Sequence, residues 1–509
     1  MDDLYSDNDP DYRATLVRSG IPPPSLRDQR RQQQRNNDLS RYNPSLQRQA
    51  HHRYSPYEHH DQARQDKRHH ATNQQYRSQY GSQNASNYPA QDMYHDRSRQ
   101  PYPQHAEQRP PSQQRAPPLS YNQAAPVKPK PLDMRTSTDF LKCEKRLSVD
   151  SLVSVIKKNA SEIDYEFLSS KGLVDRVNQL REKIRHVSAE QRSRARSKSN
   201  PFERIGDSIF MNRAATKMAA LDATFGLTVT ENSRDEFTFA DICGGPGGFS
   251  EYLLWRVHSW GSSAHGFGIT LKGDEEVNWH TEKFREDIPR HSLTTVDGPD
   301  GTGDLYKQEN IRAFESAVLK ETGGKGVFLA VADGGFDFSG NEGQQETLVQ
   351  QLLLCEIITM LCTLKKGGHF VCKFFDMLST CTASLVWLLY QLFDEICITK
   401  PLSSRPANAE RYVVCKGLLY DHPTALVSTL LDMNKDTTCP SLFSRDILEK
   451  DEDFIDYIKM RNMKFAMKQT EALERLIFFI ENPDAAPLYD QEQIKRTCLN
   501  EWRLPLSDY

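Results

Sequence analysis

A glycine-rich turn between an apolar run and an amphipathic run is the feature that most limits how this chain can fold. Residues 237–243 have the length and composition of a β-strand, and the sequence Gly-Gly-Pro-Gly-Gly follows them. After the turn, Phe249, Tyr252, Leu253 and Leu254 recur at helical spacing on one face. A strand, a glycine turn and a helix form the first unit of a doubly wound α/β domain, whose ligand lies at the carboxyl end of that strand.

The residues of this turn indicate the kind of ligand it binds. Glycines let the backbone approach a ligand where a Cβ would clash. The turn differs from the G-x-G-x-x-G dinucleotide fingerprint, because a proline stands in its middle and no later Asp closes a short βαβ unit. This difference favours a compact nucleoside over a pyrophosphate cofactor, and S-adenosyl-L-methionine fits that description. An ordinary strand-to-helix turn is the simpler alternative.

Composition indicates that part of the chain has no fold of its own. Residues 1–135 are rich in Gln, Asn, Arg, His, Tyr, Ser and Pro and contain almost no Val, Ile or Phe. Because such a segment cannot bury enough apolar surface to offset its ordering entropy, we expect a disordered tail over residues 1–135. Its Tyr and Arg residues could support weak RNA binding, and a solubilising tail is the alternative.

The cysteines and the apolar runs exclude several classes of protein. The ten cysteines include no C-x-x-C pair, so neither a metal site nor a disulfide framework is expected. Several of them lie in apolar runs, which is typical of reduced core residues in an intracellular protein. With no stretch of about 18 uninterrupted apolar residues and an acidic start, Met-Asp-Asp, the sequence predicts neither a membrane span nor a signal peptide.

Residues 136–205 form a helical and basic lead-in. Apolar positions recur at helical spacing, and the polar positions between and after them turn basic, including Lys183, Arg185 and Arg196. A basic face beside a nucleoside-binding domain is the electrostatic footprint of a phosphate backbone, so we expect this lead-in to bind RNA. Solvated charge on a helix is the alternative.

From residue 206 to about 425, strands alternate with helices. Apolar strand-like runs begin at Gly266, Val327, Gly367 and Arg411, and the amphipathic run 350–364 lies between the second and third of these. Alternation of this kind predicts a mostly parallel sheet with right-handed crossovers. Residues 426–509 contain helical patterns without obvious chemistry, and we expect a helical appendage there.

Three ionisable residues stand at or beside predicted strand ends, where the active-site groups of such a fold lie. Asp333 follows an apolar strand, Lys373 is flanked by aromatic residues within its strand, and Glu410 precedes the last strand. A lysine within an apolar strand is costly to bury charged, so it is paired or held neutral. The simpler alternative for Asp333 is a helix N-cap. Taken alone, Lys217 has the pattern of a surface lysine.

Lys217, Asp333, Lys373 and Glu410 resemble the Lys-Asp-Lys-Glu tetrad of the FtsJ-type ribose 2′-O-methyltransferases. The resemblance is greatest to the members specific for the mRNA cap, which act on the first transcribed nucleotide, and it runs from roughly residue 150 to 505. It is carried by long segments in order: Asn212-Arg-Ala-Ala, Asp241 to Arg256, Gly266 to Gly273, Ala332-Asp-Gly-Gly-Phe, Gly368 to Lys373, and Ser404 to Gly417. The resemblance therefore implies a Rossmann-like S-adenosylmethionine-dependent methyltransferase sheet with helical N- and C-terminal additions.

The same resemblance implies two groups of binding residues. Those for S-adenosyl-L-methionine are Asn212, Cys243, Gly244, Gly245, Pro246, Gly247, Gly248, Phe249 and Asp304. Those for the capped 5′ end of the mRNA are Lys183, Arg185, Arg196, Gly343, Gln344, Gln345 and Asn408. It also implies a nuclear protein that works with the RNA polymerase II machinery. The animal members carry a glycine-rich patch domain upstream and a guanylyltransferase-like region with a WW module downstream, for which this sequence shows no counterpart.

Methyl transfer from a sulfonium is an in-line displacement by a ribose 2′-oxygen, so it requires positioning and a group that takes the hydroxyl proton. Lys373 is the candidate for that group, with Lys217 supplying a like charge that favours its neutral form. Asp333 and Glu410 then orient the two amines, and no metal is required. A methyltransferase for the second cap nucleotide, or for rRNA or tRNA ribose, is one alternative. A catalytically silent RNA-binding scaffold is the other.

Overall fold

A computed structural model describes residues 132–230, 235–273, 277–289, 291–336, 343–435 and 439–506. The expected disordered tail lies, over residues 1–131, outside these described residues. The described chain is built on one sheet of eight strands in the order β1-β7-β8-β6-β5-β2-β3-β4. The strands are β1 (Phe140–Lys142), β2 (Phe237–Ile242), β3 (Ala264–Ile269), β4 (Leu293–Thr295), β5 (Val327–Ala332), β6 (Leu364–Phe374), β7 (Phe393–Thr399) and β8 (Arg411–Leu418).

The sheet is parallel through its centre and mixed at one side. The pairs β3–β4, β2–β3, β2–β5 and β5–β6 are parallel, whereas β8 runs antiparallel to both of its neighbours, β6 and β7. This Rossmann-like arrangement agrees with the predicted α/β class. Three strands, β1, β4 and β7, were not predicted, because the first and second have only three residues each and the third contains Asp394 and Glu395 in its first half.

Thirteen α-helices flank or extend this sheet in the described residues. They are α1 (Val149–Val155), α2 (Tyr165–Leu168), α3 (Lys171–Arg185), α4 (Ala189–Ser199), α5 (Arg213–Phe225), α6 (Gly248–Ser259), α7 (Gln308–Glu321), α8 (Gln345–Thr363), α9 (Thr380–Leu392), α10 (Thr424–Met433), α11 (Arg445–Glu449), α12 (Glu452–Glu481) and α13 (Gln491–Glu501). Two 3₁₀ turns, Glu203–Gly206 and Thr281–Lys283, complete the regular structure.

Apolar cores cover both faces of the sheet, as the alternation along β5 illustrates. Ala330 and Ala332 belong to the core formed with α8, α9 and α10, whereas Leu329 and Val331 belong to the core formed with α5 and α6. Because side chains alternate across a strand, a strand that is apolar throughout must be buried on both faces. The central strands are therefore buried on both faces, and their ends are the places where a ligand can reach them.

Residues 136–205 were predicted to be helical, but they also contain a β-strand. Phe140–Lys142 pairs antiparallel with β7 and extends the sheet edge. The helices α3 and α4 pack against α12, where Val177, Leu180 and Leu473 form a small buried cluster. The lead-in and the C-terminal appendage therefore build one wall beside the sheet, although the whole methyl-transfer region predicted over residues 206–425 lies between them in the sequence.

Helix α8 is long and apolar enough to cross a membrane when judged by length and composition alone. However, 78% of its most apolar window is buried inside the fold. Helix α8 is therefore a central helix of the core on one face of the sheet.

Candidate active site

The four predicted catalytic side chains come together at the carboxyl ends of β5 and β6. Asp333 directly follows β5, and Lys373 is the penultimate residue of β6, the parallel neighbour of β5. Glu410 directly precedes β8, whose Tyr412 lies opposite Lys373 in the antiparallel register. Lys217 reaches the same point from α5. The strand order thus joins four residues that are far apart in the sequence.

The Asp333 carboxylate bridges the two lysines. Its Oδ2 lies 3.6 Å from Lys217 Nζ and its Oδ1 lies 3.2 Å from Lys373 Nζ. Lys217 Nζ also donates to Glu410 Oε2 at 2.9 Å, and Lys373 Nζ donates to the backbone carbonyl of Asp333 at 2.7 Å. The Tyr412 hydroxyl donates to Asp333 Oδ1 at 2.7 Å. The tetrad side chains are only 9% to 15% exposed, so these contacts are poorly screened by water.

The electrostatic balance differs between the two lysines. Burial disfavours the ammonium of Lys217, but the charges of Asp333 and Glu410 outweigh it and raise the pKa of Lys217 above its ordinary value. Burial likewise disfavours the carboxylate of Glu410, but Lys217, Lys373 and Lys400 hold its pKa well below the usual range. Lys217 and Glu410 are therefore a charged pair at neutral pH. Among the described residues, Lys373 has one carboxylate partner within 4.0 Å where Lys217 has two.

Two residues that the sequence did not single out hold Glu410 in place. The hydroxyl of Ser404 donates to Glu410 Oε1 at 2.6 Å. Lys400 Nζ donates to Ser404 Oγ at 3.1 Å, to Asn408 Oδ1 at 2.6 Å and to the backbone carbonyl of Glu410. Burial, together with Arg411 and Lys217, outweighs the charge of Glu410 and lowers the pKa of Lys400 to about 7. The available signal was a lysine directly after the apolar end of β7, a position beside a strand end like that of Asp333.

We expect Lys400→Met to lower kcat about 10- to 100-fold, because small displacements of a catalytic group have effects of that size. The variant removes the donors that fix the segment between Lys400 and Glu410. Steady-state kinetics and thermal melting are the measurements. Lys416→Met, a change at a half-buried lysine on β8 that lies over the Phe140 ring, is the matched control. A wild-type kcat for Lys400→Met would contradict this role.

The glycine turn closes against Asn212, as the predicted cofactor site requires. Gly247 has φ +118°, a conformation that favours glycine, and α6 begins at the next residue. A Cβ added to Gly248 would lie 2.2 Å from Asn212 Oδ1, the atom that caps α5 by accepting from the Ala214 amide at 2.9 Å. The turn after β2 and the start of α5 are therefore in direct contact.

Asp241, the penultimate residue of β2, supports the glycine turn by hydrogen bonds to the helix that follows it. Its Oδ2 accepts from the Ser250 amide at 3.1 Å and from the Ser250 hydroxyl at 2.7 Å, which ties β2 to α6. Burial raises the pKa of Asp241 to about 7, although the bonds from Ser250 oppose this shift. Its Oδ1 is buried without a hydrogen-bond partner within the described residues. The site thus contains a buried acceptor that the described chain leaves unused.

The residue before Asp304 packs against Thr270, and Thr270 in turn contacts the glycine turn. A Cβ on Gly303 would lie 1.8 Å from the carbonyl oxygen of Thr270, which follows β3. The Thr270 hydroxyl accepts from the Gly245 amide at 3.2 Å. Thus Asn212, the glycine turn and the segment before Asp304 surround one region at the carboxyl ends of β2 and β3.

Four of the predicted substrate residues line one cavity of about 240 Å³, which we call the substrate cavity. They are Arg185, Arg196, Gln345 and Asn408. Of the other predicted substrate residues, Lys183 does not line this cavity, because it lies on a different face of α3, and Gly343 and Gln344 lie in the turn before α8, outside the lining.

Further residues complete this lining. Arg181 and Arg192 are among the basic positions predicted over residues 136–205, Arg405 lies in the segment Ser404 to Gly417, and Ala472, Leu473 and Leu476 of α12 supply an apolar wall. Residues 426–509 were expected to be a helical appendage without obvious chemistry, and the structure places α12 of this appendage in the lining of the cavity. Only the packing of α12 on α3 and α4 brings that wall to the site, and no local sequence pattern reports it.

A doubly wound sheet with a glycine turn after β2 and a lysine–carboxylate site at the ends of β5 and β6 agrees with the α/β methyltransferase fold that the sequence resemblance implies. More narrowly, residues 210–418 match the family of FtsJ-like methyltransferases, and this part of the chain has the FtsJ-like methyltransferase fold.

Curated relatives extend the similarity beyond that domain. The chain is 40% identical over 331 residues to the cap-specific mRNA (nucleoside-2′-O-)-methyltransferase 1 of Dictyostelium discoideum, a match covering 61% of this chain and 43% of the relative. The proteins of the same name from Mus musculus and Homo sapiens are 38% and 37% identical over 63% and 70% of this chain, and 40% and 44% of their own lengths. The matched region thus spans less than half of each relative.

Proposed function

We propose that this protein transfers a methyl group from S-adenosyl-L-methionine to the ribose 2′-oxygen of the first transcribed nucleotide of m7G-capped mRNA. The observation that carries the proposal is the Asp333 carboxylate, which bridges Lys217 and Lys373 at strand ends near an arginine-lined cavity. The names of the curated relatives support the cap as substrate. The proposal extends the activity in their names to a chain that matches less than half of their length.

The described residues fit S-adenosyl-L-methionine. Two buried polar atoms near the glycine turn have no hydrogen-bond partner within the described residues: the acceptor Asp241 Oδ1 and the donor Trp279 Nε1. Trp279 lies close to the turn, since its ring is 3.4 Å from where a Gly247 Cβ would stand. A nucleoside amino acid carries both donors and acceptors, so it can satisfy both. The holding residues would be Asn212, Asp304 and the turn Cys243–Phe249.

When bound, the cofactor supplies an electrophilic methyl group on a sulfonium. The protein's task is to position the ribose hydroxyl and to take its proton. Lys373 is the group best placed for that, because Lys217 is held as an ammonium by two carboxylates whereas Lys373 has one such partner. Lys217 stays charged and, through Asp333, keeps the Lys373 amine in place.

The substrate cavity supplies the recognition. Five arginines line it (Arg181, Arg185, Arg192, Arg196 and Arg405), as suits a ligand with several phosphates. The apolar wall from α12 suits a nucleobase. We therefore assign RNA binding to residues 136–205 together with α12, methyl transfer to residues 206–425, and a nuclear location. Contact with the RNA polymerase II machinery follows from the same proposal.

The experiment that tests this function measures transfer of labelled methyl to short RNAs that begin with an m7G cap, an unmethylated cap or a triphosphate. Nuclease mapping then locates the product. We expect cap-dependent methylation of the ribose of the first nucleotide. Transfer to a second-nucleotide or internal ribose would replace the substrate with another RNA. Cofactor binding without transfer to any of these RNAs would indicate a silent scaffold.

A further inference from the structure

Three arginines from separate elements converge on a single carboxylate outside the tetrad. Arg196 of α4, Arg213 of α5 and Arg405 before β8 each lie 3.3 Å from Glu203 Oε1. We call these three residues and Glu203 the arginine cluster. It lines an open cavity of about 460 Å³, separate from the substrate cavity.

The cluster carries more positive charge than the described chain neutralises. Three guanidiniums face the Glu203 carboxylate, Asp207 is the other acid that lines the cavity, and Arg204, which also lines it, pairs with Glu492 at 3.3 Å. Burial, opposed by Glu203, lowers the pKa of Arg213, and the charge of Arg405 lowers it further. Arg405 Nε is buried without a hydrogen-bond partner within the described residues. A bound anion would offset the excess positive charge and could accept a hydrogen bond from Arg405 Nε.

The position of the cluster relates it to both parts of the proposed site. Arg196 and Arg405 line the substrate cavity as well as this one. Arg213 lies four residues before Lys217 on α5, so the two side chains are neighbours on one helix face. Arg213 also donates to the Ser403 carbonyl at 3.1 Å, next to the Ser404 that holds Glu410. The cluster therefore adjoins the substrate cavity and contacts the segment that holds Glu410.

We propose that the arginine cluster is a phosphate-binding site for the capped RNA, separate from the pocket for the cap base. This inference rests on the proposed function, adds Arg213 to substrate binding, and gives Arg405 a phosphate partner on the side of the arginine cluster. The bound group is a phosphate, supplied either by the 5′–5′ triphosphate bridge or by a phosphodiester downstream of the reacting ribose. Arginine forks match phosphate oxygens in pairs, and Glu203 offsets the mutual repulsion of the three guanidiniums and holds them close together.

The test uses the full chain with Arg405→Gln, because that side chain is 41% exposed and has one ion-pair partner, Glu203. Binding of a fluorescent m7G-capped ten-nucleotide RNA and of the m7GpppA dinucleotide is measured by anisotropy or competition at several salt concentrations. For the longer RNA we expect binding to weaken about 10- to 150-fold, as for loss of a charge-assisted hydrogen bond. The slope of log K against log salt should fall by about one.

The dinucleotide arm identifies the phosphate. Equal weakening for both ligands assigns the site to the triphosphate bridge, and weakening for the longer RNA alone assigns it to the downstream phosphodiesters. The matched control is Arg204→Gln, which lines the same cavity but pairs with Glu492. Arg405→Lys keeps the charge and should recover part of the binding. Unchanged binding and salt slope in Arg405→Gln, or equal loss in Arg204→Gln, would overturn the inference. Because binding is measured without methyl transfer, failure of the proposed reaction would be seen separately.

Discussion

Replacing Lys373 by alanine should reduce methyl transfer by about three orders of magnitude or more while leaving cofactor binding intact. The size follows from the contribution of a positioned general base, about 10²- to 10⁴-fold, to which the loss of the Asp333 contact is added. The substituted amine lies at the end of β6, whereas the glycine turn follows β2, and β5 separates these two strands in the sheet. Single-turnover transfer and equilibrium dialysis of labelled S-adenosyl-L-methionine measure the two effects independently.

Two further variants separate the possible roles of Lys373. Lys373→Arg keeps a positive charge but cannot give up its proton at neutral pH, so it should be as inactive as alanine if Lys373 is the base. Lys366→Ala changes an exposed lysine on the same strand and should behave like the wild type. Activity in Lys373→Arg above a tenth of wild type would exclude the proton-accepting role and leave an electrostatic one.

The central fold could be predicted because its signals are local. The turn after β2 combines a strand-length apolar run with glycines, and β5 is apolar throughout, as a strand buried on both faces must be. The edges could not be predicted in this way. Leu293–Thr295 and Phe140–Lys142 are strands because a neighbouring strand offers partners for their backbone hydrogen bonds. Three residues are too few to show the alternation of apolar and polar positions that predicts a strand.

The tetrad could be predicted because each of three members stands beside a strand end and the fourth follows from the family resemblance. What no single position reveals is the support around it. Lys400 and Ser404 hold Glu410 through a loop, and Tyr412 donates to Asp333 from β8, which β6 separates from β5. Such contacts depend on antiparallel placement of β8 between β6 and β7, a tertiary fact. The apolar wall from α12 was missed for the same reason.

Glu410→Gln should lower both activity and stability, and the loss of stability should depend on pH. The folded-state pKa of Glu410 lies below its ordinary value, so its carboxylate stabilises the fold at pH values above about 4.5. That contribution is lost as the pH falls through the lower folded-state pKa. The difference in unfolding free energy between wild type and Glu410→Gln should therefore be greatest near pH 7 and shrink steadily below pH 4.5.

The expected loss near pH 7 is about 3 kcal/mol, the lower end for breaking a buried ion pair, because Lys217 keeps Asp333 as a second partner. Urea unfolding from pH 7 to pH 3 measures it. Glu395→Gln is the control, since that residue forms a partly exposed pair with Lys142 on the neighbouring strand, and exposed pairs contribute little. A loss of stability in Glu410→Gln that stays constant with pH would mean that shape rather than charge is what Glu410 contributes. In that case Lys217 would need no carboxylate from β8 to remain an ammonium, and Asp333 alone would hold both lysines.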